Sequence, residues 1–362
     1  MKKADTLMKK AVAHNVFPGG VLLVSKENEV LFFEAYGHAN IETNFPMKTK
    51  TLFDLASLTK PLATAIAVMK LIQQSKLKLD QSLGSVLPGF KNTEKERITI
   101  RHLLSHFSGL PDHKPYYLKL KALPFDERKA ALREYLIQEP LISPIGETAL
   151  YSDIGFMILC WVVESVSQKR LDHFVTEEIY EPLGIDAEDE LFFVDLGLPP
   201  HKGEFAATEM CPWRKILLNG VVHDDNAFAA GGIEGHAGLF GTASAVKSVL
   251  FELLTTYHGC SHDQVFQKEL LHMFFQKQSK SDMALGFDTP SEQGSSCGRY
   301  FSKKSVGHLG FTGTSFWVDL DRSIIVILLS NRVHPHRKND KIKEFRPKLH
   351  NTIMQYLVAL QS

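Results

Sequence analysis

The sequence predicts an α/β protein of the α+β type, in which one sheet is assembled from both ends of the chain beside a mainly helical lobe. Residues 19–25 and 30–36 show the pattern of two strands joined by a short turn. Residues 313–330 predict another strand pair around a polar turn, and its second strand is apolar enough for the centre of a sheet. Few strand patterns occur between about residues 80 and 240. The middle of the chain therefore forms the helical lobe.

Helical patterns account for most of the remaining chain. Residues 4–14 and 126–138 are amphipathic, residues 152–166 are apolar, and residues 340–360 form the last predicted helix. A short helix within residues 99–111 is expected to end at a glycine and a proline. Both lobes are expected to belong to one domain, with a sheet lobe of about residues 1–80 and 241–362 and a helical lobe of about residues 81–240.

Composition excludes several classes of partner. The chain has 362 residues, of which 41 are Lys or Arg and 41 are Asp or Glu, so no bulk charge attracts nucleic acid or an anionic membrane. No segment approaches the roughly 18 apolar residues of a membrane span. The four cysteines are far apart and predict free thiols. The basic N-terminus lacks the apolar core of a signal peptide, so a cytoplasmic location is expected.

Ser57 and Lys60 form the most informative pair in the sequence. They stand three residues apart, just before Pro61 and the apolar helical stretch 63–72, so both side chains are expected on one face near a helix start. The N–H groups and the dipole of a helix start favour an anion. If Lys60 is partly desolvated, its neutral form becomes accessible and it can accept the Ser57 proton during attack on an acyl carbon.

The same spacing occurs at two other places, Ser75-x-x-Lys78 and Ser244-x-x-Lys247. Ser75 lies in a polar tail and predicts a surface position. Ser57, in contrast, is preceded by apolar residues and followed by a helix too apolar to be exposed. The context favours Ser57 as the nucleophile.

Two further stretches support this choice. Tyr151-Ser-Asp153 precedes a predicted helix, and a tyrosine between Lys60 and a substrate can pass a proton to the leaving group. A tyrosine that only packs a helix cap is the alternative. The stretch from His308 to Thr314 contains Gly310, which would let a substrate backbone approach closely. A main-chain N–H near Phe311 is then expected to join that of Ser57 in an oxyanion hole.

Three of these motifs together resemble those of the serine β-lactamase-related family, which includes class C β-lactamases, DD-peptidases and class VIII esterases. They are Ser57-Leu-Thr-Lys60, Tyr151-Ser-Asp153 and His308-Leu-Gly310, in that order. The resemblance implies an antiparallel sheet flanked by helices beside a helical lobe, with the site in the cleft between them. It also implies that Ser57 is the nucleophile, Lys60 its base and Tyr151 a proton shuttle in a hydrolase that forms an acyl-enzyme with an ester or amide. No cofactor is expected.

Two departures from the family pattern bear on the substrate. Asp153 stands where penicillin-directed members usually carry Asn, and His308 stands where they carry Lys. A largely neutral imidazole is a poorer partner for a substrate carboxylate than a lysine ammonium. An esterase or amidase is therefore expected, and a true β-lactamase or DD-peptidase is the alternative.

A third group of residues predicts a polar substrate. The stretches around His223-Asp-Asp225 and His236 are similar to a subgroup that includes exo-acting muramoyl-alanine amidases. Dense His, Asp, Asn and Gly residues suit a sugar or peptide ligand. His223, Asp224 and His236 are thus expected to bind substrate, and a peptidoglycan fragment is the expected kind. A loop whose polar groups only satisfy its own backbone is the alternative.

Three other functional classes are alternatives to a serine hydrolase of this family. A metal site could draw on His102, His106, His113, His223 and Asp224, but no H-E-x-x-H motif is present, so no metal is expected and structural histidines are favoured. The sequence predicts no strand–turn–helix unit built around a G-x-S-x-G motif, so an α/β-hydrolase is not expected. An inactive ligand-binding member of the fold stays open, although the presence of Ser57, Lys60 and Tyr151 together argues against it.

Overall fold

The structure, a computed structural model, describes residues 1–261 and 265–359. Its strands are β1 (Gly19–Lys26), β2 (Glu29–Asn40), β3 (Phe45–Pro46), β4 (Phe53–Asp54), β5 (Leu191–Phe193), β6 (Leu239–Gly241), β7 (Val306–Leu309), β8 (Ser315–Asp319) and β9 (Ile324–Ser330). Its α-helices are α1 (Lys2–Ala13), α2 (Ile66–Gln73), α3 (Leu83–Val86), α4 (Ile100–Leu104), α5 (Tyr117–Leu120), α6 (Arg128–Gln138), α7 (Asp153–Ser167), α8 (Leu171–Val175), α9 (Asp225–Ala229), α10 (Ala243–His258), α11 (Lys268–Phe274) and α12 (Ile342–Ala359).

The main sheet joins the two ends of the chain, as the sequence predicts. Its strand order is β3-β2-β1-β9-β8-β7, and every neighbouring pair is antiparallel. β1 pairs with β9 over seven residues, from Gly20 opposite Ser330 to Lys26 opposite Ile324. The N-terminal hairpin is thereby closed onto the C-terminal strands. The fold class expected from the sequence is confirmed.

The two faces of this sheet pack against different layers. Leu23 and Ile327 belong to the large core, which they share with residues of α2, α7 and α10. Leu22 and Leu328, their neighbours in sequence, face the other way into a smaller core with α1 and α12. Because side chains alternate along a strand, β9 needs apolar residues on both faces, and its first six residues are apolar while all seven are buried.

The structure contains a second, three-stranded sheet that the sequence did not predict. It has the order β4-β6-β5, and each strand has only two or three residues. Such strands are too short for a period of two to show in the sequence. This small sheet matters for the site because β4 ends at Asp54, three residues before Ser57.

The helix predicted around Ser57 is less regular than expected. A 3₁₀ turn at Ala56–Leu58 leads into a π-helical turn at Lys60–Ala65, and the regular helix α2 begins only at Ile66. π-Helical turns occur often at functional sites, where they change the direction of a side chain. The predicted helix within residues 99–111 is limited to α4. The end of the last predicted helix, residue 360, lies outside the described residues.

Among the described residues, no helix combines the length and the hydropathy needed to cross a membrane. The division of the domain near residues 80 and 240 stays a prediction.

The double-faced burial of β9 leads to a stability prediction. We expect Ile327→Ala and Leu328→Ala each to lower the free energy of unfolding by about 2–5 kcal/mol, because each leaves a cavity in a different core. Val30→Ala is the control, since Val30 is 46% exposed on β2 and should cost less than about 0.5 kcal/mol. Urea denaturation followed by circular dichroism measures all three. A core variant as stable as Val30→Ala would contradict this packing.

Candidate active site

A cavity of about 350 Å³ collects most of the residues singled out in the sequence. Its wall includes predicted site residues from five separate stretches of chain together with several that were not predicted. The lining residues are Ala56, Ser57, His113, Tyr151, Asp153, His223, Asp224, Asp225, His236, Ala237, Phe311 and Arg337.

Ser57 lines this cavity and is in direct contact with Lys60, which lies behind the cavity wall. The Lys60 Nζ lies 3.0 Å from the Ser57 Oγ, 2.7 Å from the Asp153 Oδ1 and 3.3 Å from the main-chain oxygen of His236. The Lys60 side chain is fully buried, whereas Ser57 is partly accessible. Three segments distant in sequence therefore converge on one ammonium group.

The charge state of Lys60 differs from the expectation of an accessible neutral form. Burial by itself lowers the pKa of Lys60, but the Asp153 carboxylate and the Tyr151 side chain raise it above its ordinary value. Asp153 shows the complementary effect, because burial favours its neutral form while Lys60 and His113 hold its pKa well below the usual range. Lys60 and Asp153 thus form a buried ion pair in the free protein.

The backbone immediately before Ser57 is strained. Ala56 has a φ of 49°, in the left-handed region that residues with a Cβ rarely adopt. Its N–H donates to the Asp54 Oδ1 at 2.8 Å, and the Asp54 Oδ2 accepts the His223 N–H at 2.6 Å. The buried Asp54 carboxyl, whose pKa is raised by desolvation, therefore holds the Ser57 turn and the His223 loop together. The roles of Asp54 and Ala56 were not predicted from the sequence, since neither residue belongs to a motif.

Tyr151 lies against Lys60 and is supported from behind by His106. The Lys60 Nζ is 4.8 Å from the centre of the Tyr151 ring, and the ring of His106 packs against Tyr151 at an interplanar angle of 34° with centroids 4.7 Å apart. Burial raises the pKa of the Tyr151 phenol, while Lys60 and hydrogen bonds to Lys60 and Ser57 act in the opposite direction. The phenol is thus neutral and adjacent to both other members of the predicted trio.

Asp153 is placed by the start of helix α7. Ser152 caps this helix, since its Oγ accepts the Gly155 N–H at 3.1 Å, and Asp153 is the first residue of the helix. The Asp153 N–H also donates to the main-chain oxygen of Asp112 at 2.9 Å. A carboxylate in the first turn of a helix is stabilised by the helix dipole. On the cavity side, His113 Nδ1 lies 3.8 Å from the Asp153 Oδ2.

The loop after β7 is fastened to the segment before Ser57. The Thr314 Oγ1 donates to the Leu55 main-chain oxygen at 3.0 Å, and the Thr312 Oγ1 donates to that of Asp54 at 2.7 Å. A Cβ added at Gly310 would lie 2.7 Å from the Leu55 oxygen and closer still to Thr314. Glycine is therefore required at position 310 by the protein's own packing, whereas the sequence analysis attributed it to the approach of a substrate.

His308 is buried and does not line the cavity. It is 2% exposed on β7, and its Nδ1 contacts the main-chain oxygen of Leu309 at 3.0 Å. Burial and the nearby Lys60 ammonium lower the pKa of His308 to about 3. The imidazole is neutral at neutral pH, and its ring centre lies 6.0 Å from that of Tyr151.

His223 belongs to a charged network at the cavity rim. Its Nε2 lies 3.1 Å from the Glu209 Oε2, and Glu209 also accepts from the Arg337 guanidinium at 2.6 Å. Burial alone would raise the pKa of Glu209, but His223 and Arg337 lower it to about 2. Phe311, 49% exposed, stacks on the His223 ring with centroids 5.5 Å apart. Arg337 lines the cavity and was not predicted, because nothing in its local sequence marks it.

Asp224 and His236 form a second pair across the cavity. The His236 Nε2 lies 2.9 Å from the Asp224 Oδ1, which also caps helix α9 by accepting the Ala227 N–H at 2.7 Å. Burial favours the neutral Asp224, but the neighbouring His236 lowers its pKa to about 2. The main-chain oxygen of His236 reaches Lys60, so this pair also fixes one partner of the buried ammonium.

His102 and His106, named as possible metal ligands, have hydrogen-bond partners in the protein. The His102 Nδ1 accepts the Thr99 N–H and completes the cap of helix α4. The His106 Nδ1 accepts the Ser152 N–H at 3.0 Å, and burial lowers the pKa of His106 to about 3. Within residues 1–261 and 265–359, no cluster of three or more His, Cys, Asp or Glu side chains is arranged to hold a metal ion.

Comparisons with known proteins identify the family and the fold of the chain. The profile of the beta-lactamase family matches residues 4–349. The chain is 31% identical to an N-acetylmuramyl-L-alanine amidase of Bacillus subtilis, covering 92% of this chain and 81% of the relative. It is 32% identical to a putative D-alanyl-D-alanine carboxypeptidase of Escherichia coli K12, covering 88% and 79%. Among solved structures, EstCE1, a hydrolase with promiscuous acyltransferase activity, shares the fold at a TM-score of 0.74 and 21% identity, over 96% of this chain and 98% of that one.

The Lys60–Asp153 pair leads to a prediction on stability and pH. We expect Asp153→Asn to lower the free energy of unfolding at pH 7 by about 3–5 kcal/mol, because the variant leaves a buried ammonium without its carboxylate. The lowered pKa of Asp153 means that its contribution is present above the ordinary value of 3.8 and is lost as the pH falls below it. The raised pKa of Lys60 means that its contribution is present below the ordinary value of 10.5.

Urea denaturation between pH 2 and pH 8 measures this difference. Asp282→Asn serves as the matched control, since Asp282 forms a solvent-exposed pair with Lys277 and should contribute less than about 1 kcal/mol. A stability gap for Asp153→Asn that stays constant or widens in acid would show that the ion pair is not its origin.

Proposed function

The chain belongs to the beta-lactamase family of serine hydrolases and acyltransferases, and we propose that it cleaves an ester or amide bond through an acyl-enzyme on Ser57. One observation carries the proposal: the Ser57 Oγ, the Lys60 ammonium and the Tyr151 phenol meet at the wall of a cavity large enough for a small substrate. A nucleophile within hydrogen-bond reach of a proton-transfer partner is the arrangement that covalent catalysis requires.

The charge state of Lys60 suggests how the proton moves. In the free enzyme the ammonium donates to the Ser57 Oγ, so the hydroxyl hydrogen of Ser57 is free to point to Tyr151. During attack on the carbonyl carbon, Tyr151 accepts this proton and passes its own to the leaving oxygen or nitrogen. Lys60 stays cationic and stabilises the partial negative charge on both oxygens. The same relay, run in reverse with water, releases the acyl group.

The oxyanion of the tetrahedral intermediate needs N–H donors. We assign this role to the main-chain N–H groups of Ser57 and Phe311, one at the 3₁₀ turn and the other in the loop after β7. This assignment is supported by the threonine hydrogen bonds that fasten residues 310–314 to Asp54 and Leu55. Among the described residues, the Phe311 N–H has no hydrogen-bond acceptor, as a donor kept for a substrate would require.

The substrate proposed is a muramoyl-peptide amide. The amidase relative in Bacillus subtilis supports it, as does a cavity rim whose His223, Asp224 and Arg337 side chains suit a sugar or peptide. A neutral, buried His308 at the position of the family's lysine is consistent with a substrate that does not depend on a carboxylate at that point. Free thiols at the four cysteines fit the reducing environment of the cytoplasm, which we propose as the location.

A D-alanyl carboxypeptidase is the second candidate. The relative in Escherichia coli favours it, and the half-exposed Arg337 at the cavity offers a cation for a terminal carboxylate. Incubation with N-acetylmuramoyl-L-alanyl-D-isoglutamine and with diacetyl-L-lysyl-D-alanyl-D-alanine separates the two. Release of the muramoyl sugar supports the amidase, and release of D-alanine supports the carboxypeptidase.

We expect Ser57→Ala to abolish both labelling by a fluorophosphonate and hydrolysis, while the folded structure is kept. Lys60→Ala should be nearly as damaging, because nucleophile and proton-transfer groups act as a unit. Ser244→Ala is the matched control, since Ser244 also precedes a lysine by three residues but is exposed on α10. Mass spectrometry locates the label, and p-nitrophenyl butyrate measures turnover. Wild-type turnover by Ser57→Ala would refute the acyl-enzyme.

We expect His308→Lys to raise the ratio of benzylpenicillin to p-nitrophenyl butyrate hydrolysis by about one to two decades. The physical reason is a charge-assisted contact with the penicillin carboxylate, worth about 1.5–3 kcal/mol. The ratio of the two kcat/KM values on one sample cancels any loss of folded enzyme caused by a second cation beside Lys60. His308→Gln, which stays neutral, should leave the ratio unchanged. Equal ratios in all three proteins would show that position 308 does not select the substrate.

A further inference from the structure

We infer that Arg346 is a positioning residue that strengthens the oxyanion-hole donor at Phe311 by binding the opposite side of the Gly310–Phe311 peptide group. The inference rests on the proposed function, and it assigns a role to a residue of α12 that lies outside the three family motifs. Its evidence is the hydrogen bonding of the loop after β7.

Arg346 is a buried cation with main-chain partners. It is 5% exposed, and its Nη2 donates to the main-chain oxygen of Thr314 at 2.8 Å and approaches that of Gly310 at 3.5 Å. Over residues 1–261 and 265–359, no carboxylate contributes to the pKa shift of its guanidinium, and its Nε has no hydrogen-bond partner. Burial of a charge without a carboxylate partner is costly, and the main-chain oxygens of the loop after β7 are the groups that offset this cost.

The charge is retained under ordinary conditions. Burial and the neighbouring Arg332 lower the pKa of Arg346 to about 9, so the guanidinium stays cationic at neutral pH. Arg332 itself lies over the ring of Phe311, 4.6 Å from its centre. Positive charge is therefore concentrated behind the loop that faces the cavity.

The connection to the reaction follows from the chemistry of one peptide group. The Gly310 oxygen and the Phe311 N–H belong to the same peptide bond, and the Gly310 oxygen accepts both the Gly313 N–H at 3.1 Å and the Arg346 guanidinium. Donors at the carbonyl end polarise a peptide and make its N–H a stronger donor, because hydrogen bonds in a chain reinforce one another. Phe311 can then stabilise a developing oxyanion better than an isolated amide could.

A purely structural alternative is that Arg346 only holds the loop through Thr314. Arg346→Gln separates the two roles, since glutamine keeps an N–H donor for the Thr314 oxygen and removes the charge. Arg346→Lys keeps the charge. Lys95→Gln is the matched control, because Lys95 is a buried cation that donates to the main-chain oxygen of Glu139 in the helical lobe.

The readout is the carbonyl stretch of a slowly hydrolysed acyl-enzyme formed from p-nitrophenyl cinnamate, with ¹³C at the carbonyl so that infrared difference spectra isolate it. We expect a higher frequency in Arg346→Gln than in the wild type, with about a tenfold lower acylation rate and an unchanged KM. Deletion of a whole oxyanion-hole donor costs more, about 10²–10³-fold. Arg346→Lys and Lys95→Gln should keep the wild-type frequency.

The possible outcomes separate the inference from the proposed function. A wild-type enzyme that forms no cinnamoyl adduct on Ser57 by mass spectrometry refutes the proposed function. A wild-type adduct with an unchanged frequency in Arg346→Gln, or a raised frequency in Arg346→Lys, overturns only the role of Arg346. If the glutamine variant does not fold, Arg346→Met, which is similar in volume and uncharged, is measured in its place and interpreted in the same way.

Discussion

The arrangement of the site depends on the hydrogen bonds of the buried Lys60 ammonium. The ammonium has three oxygen partners from three segments: Ser57 on its own turn, Asp153 at the start of α7 and the main chain of His236. A buried ammonium without these partners would be unstable, so the protein can keep the cation only when the helical lobe and the His236 loop are both in place. Formation of the site is therefore coupled to the packing of the domain.

A second buried group, the carboxyl of Asp54, organises the backbone around Ser57. It accepts N–H groups from Ala56 and His223, and its own main-chain oxygen accepts from Thr312. One residue thus joins the strained turn before Ser57, the polar loop at the cavity rim and the loop after β7. The left-handed conformation of Ala56 persists because these contacts over-determine it. Strain immediately before Ser57 fits the preorganisation that the proposed covalent catalysis needs.

Charge around the cavity is arranged by burial as much as by residue type. His308 and His106 are neutral because they are desolvated near a cation, whereas Asp153, Asp224 and Glu209 stay ionised because each has a basic partner. Arg346 differs from these groups, since it is a buried cation whose hydrogen bonds go to the peptide oxygens of Gly310 and Thr314. His308 stands where penicillin-directed members of the family carry a lysine, and of the two arginines discussed above Arg337 lines the cavity while Arg346 lies behind the loop after β7.

The sequence by itself determined the sheet built from both termini, because apolar runs are local in the chain. It predicted that Ser57, Lys60 and Tyr151 act together, from the three-residue spacing of the first two and from the resemblance of their motifs to those of one family. It predicted the polar rim at His223, Asp224 and His236, and the neutral state of His308. It did not determine the charge state of Lys60, the π-helical turn, the strain at Ala56, or the positions of Asp54, Glu209, Arg337 and Arg346. Each of these depends on contacts between residues far apart in sequence, such as Asp54 with His223 or Arg346 with Gly310. Only the tertiary structure brings such groups together and sets their desolvation, and desolvation and proximity decide which of them carry charge.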